Sequence, residues 1–300
     1  MTGGDVTQAD IVDGLRRLGI RDGDTVFFHS SLKSLGRVAG GAEEVIAGFR
    51  AAVGAEGTVV VPTFTLVGRV GPFGSWYDHA TSPSTVGLIT ETLRAQPDAV
   101  RSFHPVHSVA AIGRRALAIT AGHRHASGRI SPWCDAAFAH DSPLDLLVRW
   151  NAWYVLLGVT FHVQTLMHYV EAILADAVLR RASESDRVRL RDGVRRWGRP
   201  GVWPSLNRIG LGELLRDRQV YEKLSIGQAE AFGARCRPLL LETLKLILSD
   251  PERWLNEPFR VWMGEPLEPD TIFATYALSG GAPPLGAPHA EITCEGQVHS

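Results

Sequence analysis

Two short runs, Thr58–Pro62 (TVVVP) and Trp153–Val159 (WYVLLGV), are apolar at nearly every position. A strand with one face in water alternates apolar and polar residues, so a continuous run is the pattern of a strand buried on both faces. Such strands need a layer on each side, and the segments between them read as helices. Ile11, Val12, Leu15 and Leu18 recur at helical spacing behind Thr7 and Asp10, a loose capping box, and Gly19 with the turn-like RDGD closes that helix. Thr25–Phe28 is a short β-rich run that breaks at His29-Ser30-Ser31. After Gly36, Gly40 and Gly41 a second amphipathic helix carries Val45, Ile46, Phe49 and Val53 on one side and stops at Gly54. Helix, strand, helix, strand predicts an α/β fold: a layered α/β/α single domain with a mostly central sheet.

Farther along, residues 65–85 carry the glycines, prolines and aromatics of a long loop. Thr85–Arg94 and Gln164–Arg181 read as helices, Ser108–Ile112 as a strand, and Gly227–Leu248 as another helix. The polar, arginine-rich stretch Arg180–Arg218 reads as a hairpin or loop excursion. From about Glu265, prolines and glycines (GGAPPLGAP) predict a weakly ordered tail, so the domain is expected over 1–264 and the tail over 265–300.

Composition narrows the class. With 45% hydrophobic and 21% charged residues the chain buries a sizeable core, which excludes wholesale disorder. Thirty-one basic against 32 acidic residues give a net charge of −1, no field for nucleic acid as a general partner. Cys134, Cys236 and Cys294 form no CxxC, which argues against a disulfide framework or a cysteine zinc site. The start MTGGDVTQAD has no basic segment followed by an apolar run, and the most apolar stretch, Ala152–Phe161, is about half a membrane span. A cytoplasmic protein with no membrane partner is expected.

Three groups of residues could carry chemistry. The turn His29-Ser30-Ser31-Leu32, with Gly40-Gly41 ahead of a helix, is a place where free backbone N–H groups could hold phosphates, although an ordinary strand-end turn looks the same. It is neither a Walker loop nor GxGxxG. Thr165, His168 and Glu171 follow the second buried run at three-residue steps, near one helical face. A carboxylate beside a histidine fixes its tautomer and supports the imidazolium that forms, as a general base requires; a partly buried histidine paired with a surface glutamate gives the same pattern. Thr165, one turn earlier, could donate to a developing oxyanion. Metal binding is weakly supported. His123 and His125 are close, His162 and His168 lie about 240° apart on a helix, and no HExxH occurs. No metal is expected, and no GxSxG elbow marks a serine hydrolase.

Together these segments resemble the aminoglycoside 3-N-acetyltransferase family, the antibiotic N-acetyltransferases. The likeness runs through VFFHSSLKSLGRVAGGAEEVIAGF (26–49), GAEGTVVVPTFT (54–65), DHATSPSTVGLITETLR (78–94), RSFHPVHSVAAIG (101–113), DSPLDLL (141–147) and LLGVTFHVQTLMHYVE (156–171). The resemblance implies direct acyl transfer from acetyl-CoA to a small-molecule amine without a metal. His168 and Glu171 fall on the family's active-site T-x-x-H-x-x-E, headed by Thr165. The turn His29, Ser30, Ser31, Leu32, Lys33 and Ser34, together with Ser108, falls where the family holds CoA. A homodimer is compatible with this reading.

The departures bear on the acceptor. Aminoglycoside-modifying members usually read close to GVGHDSNTSLHLAE where this chain reads GVTFHVQTLMHYVE; His162 replaces the acidic residue and Gln164 the asparagine. Polycationic aminoglycosides need carboxylates around them. Arg180–Arg218 instead holds 11 arginines against 5 acidic residues, a local charge of +6 that leaves −7 for the rest of the chain. If this stretch lines the acceptor site it suits an anionic acceptor; solvated, locally paired helix faces are the other reading. The sequence thus points to a CoA-dependent acyltransferase acting on an amine of a sugar-like or natural-product substrate. The alternatives are an aminoglycoside resistance enzyme and a catalytically idle binder of acyl-CoA or a natural product.

Overall fold

The computed structural model describes residues 5–65, 77–123, 128–195 and 202–276. In chain order the first elements are α1 (Gln8–Arg17), β1 (Thr25–Ser30), a 3₁₀ turn at Leu32–Leu35, α2 (Gly41–Val53), β2 (Thr58–Pro62) and α3 (Leu88–Arg94). They are followed by β3 (Val100–Arg101), β4 (Val109–Gly113), α4 (Ala116–Ala121), α5 (Pro143–Arg149) and β5 (Trp153–Leu157). After a second 3₁₀ turn, Phe161–Val163, come α6 (Leu166–Arg181), α7 (Glu184–Arg195), α8 (Arg208–Asp217), β6 (Glu222–Ile226) and β7 (Ala229–Arg235). Four helices close the described chain: α9 (Cys236–Ser249), α10 (Pro251–Trp254), α11 (Glu257–Met263) and α12 (Pro269–Thr275).

The strands form one mixed sheet in the order β3-β4-β2-β1-β5-β7-β6. At its centre β1 pairs in parallel with β2 and with β5, Phe27 lying opposite Val60 and Tyr154. Side chains along β1 alternate between two cores. Val26 and Phe28 pack under α1 and α2 with Val59, Val61 and Val155, and Phe28 stacks on Phe49 at 3.8 Å. Phe27 faces the other core with Val60, Tyr154 and Leu156, covered by α5, α6, α8 and α9. The α/β/α layering expected from the continuous apolar runs is the observed architecture. Thr7 and Asp10 close a complete capping box on α1.

Several elements differ from expectation. Gly227–Leu248 is not one helix: Gly227 and Gln228 turn a β6–β7 hairpin that pairs Ile226 with Ala229, and α9 starts only at Cys236. Ala231 to Ala234 are buried in succession because β7 lies between β5 and β6, a pattern that the helix-forming composition of AEAFGAR conceals. Arg180–Arg218 is not a hairpin or loop either. It forms the end of α6 together with α7 and α8, whose Leu190, Val194, Leu211 and Leu215 are buried. Within the stretch expected as a tail from 265, Leu267, Ile272 and Tyr276 are buried and the Tyr276 hydroxyl donates to Asp176 at 2.7 Å. Residues 277–300 of that tail, 66–76 of the long loop and His125 lie outside the described residues. Among the described residues no helix is long and apolar enough to cross a membrane.

Candidate active site

In an open α/β sheet, ligands gather beyond the carboxyl ends of the parallel strands, where connections depart to opposite sides. Here β1 is that switch point: its crossover leads to β2 on one side, and β5 flanks it on the other. The turns after β1, β2 and β5 begin at Ser31, Thr63 and Gly158. Because β4 is antiparallel to β2, with Val109 opposite Pro62, Ser108 lies at the same edge. The sequence-predicted residues therefore gather at one end of the sheet.

α6 presents the catalytic candidates. His168 and Glu171, three residues apart, meet with Nδ1 and Oε2 at 2.7 Å. Glu171 is 3% exposed, and its carboxylate also accepts from Trp203 Nε1 at 2.9 Å and from the Leu206 backbone N–H at 3.0 Å. A carboxylate only accepts, so Nδ1 of His168 carries the proton and Nε2 offers a lone pair. That lone pair accepts from Arg208 Nη1 at 2.9 Å. Aromatic rings surround the imidazole: Trp133 at 4.7 Å, His107 at 5.8 Å and Phe138 at 6.1 Å between centroids. Beneath it, Tyr169 donates to the buried Asp145 of the DSPLDLL segment at 2.7 Å, which fixes the rotation of α6 on α5.

Thr165 heads α6 but does not join this pair. Its hydroxyl lies 3.3 Å from Nε2 of His29, which also meets the Tyr154 hydroxyl at 2.9 Å. Burial pulls His29 down to about pKa 3, so it is a neutral ring that ties the end of β1 to the start of α6. His29, expected against CoA, is buried at the end of β1. Ser34 turns to Ser31 with the oxygens 3.0 Å apart, and Gly158 approaches it closely. Ser108 is wholly buried between the Thr63 hydroxyl, at 3.0 Å, and the Arg101 guanidinium, at 3.3 Å. Arg101 also donates to the Thr63 carbonyl and the Thr65 hydroxyl, and so pins the turn after β2. Ser34 is half-buried, whereas Ser108 does not reach the surface.

The other expected residues line an open surface. Ser30, Ser31, Leu32 and Lys33 form a wall of a groove of about 630 Å³, faced by Val86, Gly87 and Leu88 at the start of α3. The Ser30 hydroxyl has no hydrogen-bond partner among the described residues, and Lys33 is exposed. The groove offers a cation, hydroxyls and apolar side chains, a set that suits a long ligand with phosphates at one end.

Trp203, the Leu206 N–H and Arg208 were not legible as site residues, because they come from the segment read as an excursion. His107 is also new. It is 3% exposed, neither ring nitrogen has a hydrogen-bond partner among the described residues, and burial holds it neutral, well below its ordinary pKa. The two altered positions of the GVTFHVQTLMHYVE turn point elsewhere: exposed His162 pairs with Thr160 at 2.6 Å, and buried Gln164 donates to the Tyr221 hydroxyl. His140, Asp141 and Asp145 have possible ligand atoms within 4.8 Å of one another, but Arg149 pairs with both carboxylates.

The family model for aminoglycoside 3-N-acetyltransferase matches residues 27–247. Among curated relatives, aminoglycoside N(3)-acetyltransferase VII of Streptomyces paromomycinus is 38% identical over 212 residues, 65% of this chain and 70% of that protein. Aminoglycoside N(3)-acetyltransferase IX of Micromonospora chalcea is 34% identical over 212 residues, 65% of this chain and 72% of its own. Among solved structures, aminoglycoside acetyltransferase AAC(3)-Xa shares the fold with a TM-score of 0.63 at 24% identity, over 81% of this chain and 93% of that one. The complex of AAC-IIIb with CoASH has a TM-score of 0.62 at 20% identity, over 84% and 99%.

Proposed function

The chain belongs to the aminoglycoside 3-N-acetyltransferase family, and on that footing we propose that it transfers an acetyl group from acetyl-CoA to an amine of a sugar-like or natural-product acceptor, with His168 as general base. The observation that carries this is the Glu171–His168 pair. A carboxylate locked by an indole N–H and a backbone N–H holds the imidazole in the tautomer whose Nε2 can accept a proton. In this reading the groove along Ser30–Lys33 receives the acyl donor, with Lys33 toward its phosphates and the apolar wall toward its pantetheine arm.

The chemistry asked of the chain is limited. The neutral amine attacks the thioester carbonyl, the new C–N bond forms, and His168 Nε2 takes the proton. Collapse of the tetrahedral centre breaks the C–S bond; the CoA thiolate leaves and is protonated from the imidazolium. Glu171 stabilises that imidazolium and keeps the ring oriented. Because His29 holds the Thr165 hydroxyl, Thr165 acts in this reading by setting the start of α6. The aminoglycoside acceptors named for the relatives are the second reading, favoured by the 38% identity to one of them.

The test is His168→Ala, with thiol release from acetyl-CoA followed over a panel of amines that includes amino sugars and gentamicin. Transfer is expected to fall by about 10²–10⁴, while acetyl-CoA affinity by calorimetry changes little. Transfer close to the unsubstituted rate would overturn the assignment.

A further inference from the structure

The lone pair that must take the substrate's proton is occupied by a cation. Arg208 Nη1 lies 2.9 Å from His168 Nε2, and among the described residues the Arg208 guanidinium makes no ion pair with a carboxylate. This is an unfavourable place for a charge to be left unbalanced. Arg208 is the first residue of α8, where the helix dipole is positive, and the first turn of α8 contains no acidic residue. The site supplies no compensation: among the described residues that touch His168, Glu171 is the only carboxylate, and its oxygens are engaged by His168, Trp203 and Leu206.

A half-buried guanidinium with no anionic partner among the described residues, one hydrogen bond from a general base, has the chemistry of a receptor for an oxyanion. We propose that Arg208 is the specificity-determining residue of the acceptor site, and that the acceptor carries a phosphate-like group on a position neighbouring its reacting amine. This rests on the acetyltransferase reading given above. The acceptor's oxyanion draws the guanidinium into a bidentate pair, and the same movement releases His168 Nε2 to meet the amine. A polycationic acceptor does neither. It is repelled by Arg208 and leaves the lone pair occupied.

Position on α8 makes the arrangement stiff. Gly212, one turn farther on, packs so tightly against Phe161 that an added Cβ would lie 2.2 Å from its ring. Phe161 belongs to the 3₁₀ turn between β5 and α6, so the helix carrying Arg208 is seated on the turn that leads to His168. Asn207 caps the same helix, accepting from Gly210 N at 3.0 Å.

The experiment compares acetyl transfer to glucosamine 1-phosphate, whose amine and phosphate are on adjacent carbons, with transfer to glucosamine and to gentamicin. For the unsubstituted protein, kcat/KM for glucosamine 1-phosphate is expected to exceed that for glucosamine by about ten- to a hundredfold, the range of one charge-assisted hydrogen-bonded pair. Arg208→Gln should bring that ratio close to unity and raise gentamicin relative to glucosamine 1-phosphate, and Arg208→Lys should recover part of the preference. Equal or better use of gentamicin, or a preference that survives Arg208→Gln, overturns the proposal. Inorganic phosphate gives a readout that does not depend on turnover. Its titration should shift the His168 Nε2 nitrogen resonance in the unsubstituted protein and not in Arg208→Gln. If no amine is acetylated, the acetyltransferase reading fails; a phosphate response dependent on Arg208 then still supports the anion site, and its absence removes that as well.

Discussion

Replacing Glu171 by glutamine separates what its charge does from what its shape does. One carboxylate oxygen accepts from His168 Nδ1 and Trp203 Nε1, and the other from the Leu206 N–H. Glutamine offers one oxygen and one NH₂. With the oxygen toward His168 and Trp203, two bonds survive and the NH₂ faces the Leu206 N–H, a single donor–donor conflict at about 1–3 kcal/mol. With the amide reversed, the NH₂ faces Trp203 Nε1 and the imidazole. His168 could then accept only by moving its proton to Nε2, where that N–H would oppose Arg208. The reversed form carries two donor conflicts, so the first orientation is preferred by roughly 1–3 kcal/mol. The tautomer is therefore retained and the charge lost. A charge-assisted bond exceeds a neutral one by about 1–2 kcal/mol, which lowers kcat about five- to thirtyfold. Glu171→Ala leaves three donors without an acceptor and the tautomer free, so it should cost more in both rate and stability. Thiol release from acetyl-CoA and urea unfolding measure the two quantities. Glutamine and alanine variants equally slow, or a glutamine variant at full rate, would refute the reasoning.

Acid should destabilise the fold through its buried histidines. His29 and His123 are held down to about pKa 3, and His104 and His107 well below their ordinary value, all by burial. The unfolded chain takes up these protons below about pH 6.5 and the native state refuses them, so the stability is complete above that pH and lost as pH falls toward 3. Each histidine accounts for up to about 2 kcal/mol at pH 5, and the urea midpoint should drop steeply between pH 6.5 and 5; a flat profile contradicts the assignment. Gly158→Ala should destabilise by about 1–3 kcal/mol, because Gly158 has φ +66° and an added Cβ would lie 2.6 Å from Ser34 Cβ. Unchanged thermal stability would show that the turn after β5 can shift away from Ser34.

Much of the fold was legible because it is encoded locally. A run such as TVVVP states its own burial, and α1 announces its start by Thr7 and Asp10. The pairing of His168 with Glu171 was legible for the same reason: helical geometry alone brings residues three apart together. β7 was not, since Ala and Glu in AEAFGAR are common in helices, and only pairing with β5 and β6 makes the segment a strand. Thr165 was read as a partner of the His168–Glu171 pair on spacing, yet its hydroxyl is held by His29, 136 residues earlier in the chain.

The charge distribution shows the same division. By itself the sequence determined the α/β layers, the histidine–carboxylate pair and the excess of arginine after it, since each depends on residue type and near-neighbour spacing. Tertiary structure alone decided which arginine meets His168. Arg187, Arg189 and Arg191 lie exposed on α7, but the seating of α8 on the turn after β5 brings Arg208 to His168, 40 residues away in the chain. A long-range polar contact of this kind is set by how helices pack, and packing depends on the whole core rather than on any stretch of sequence.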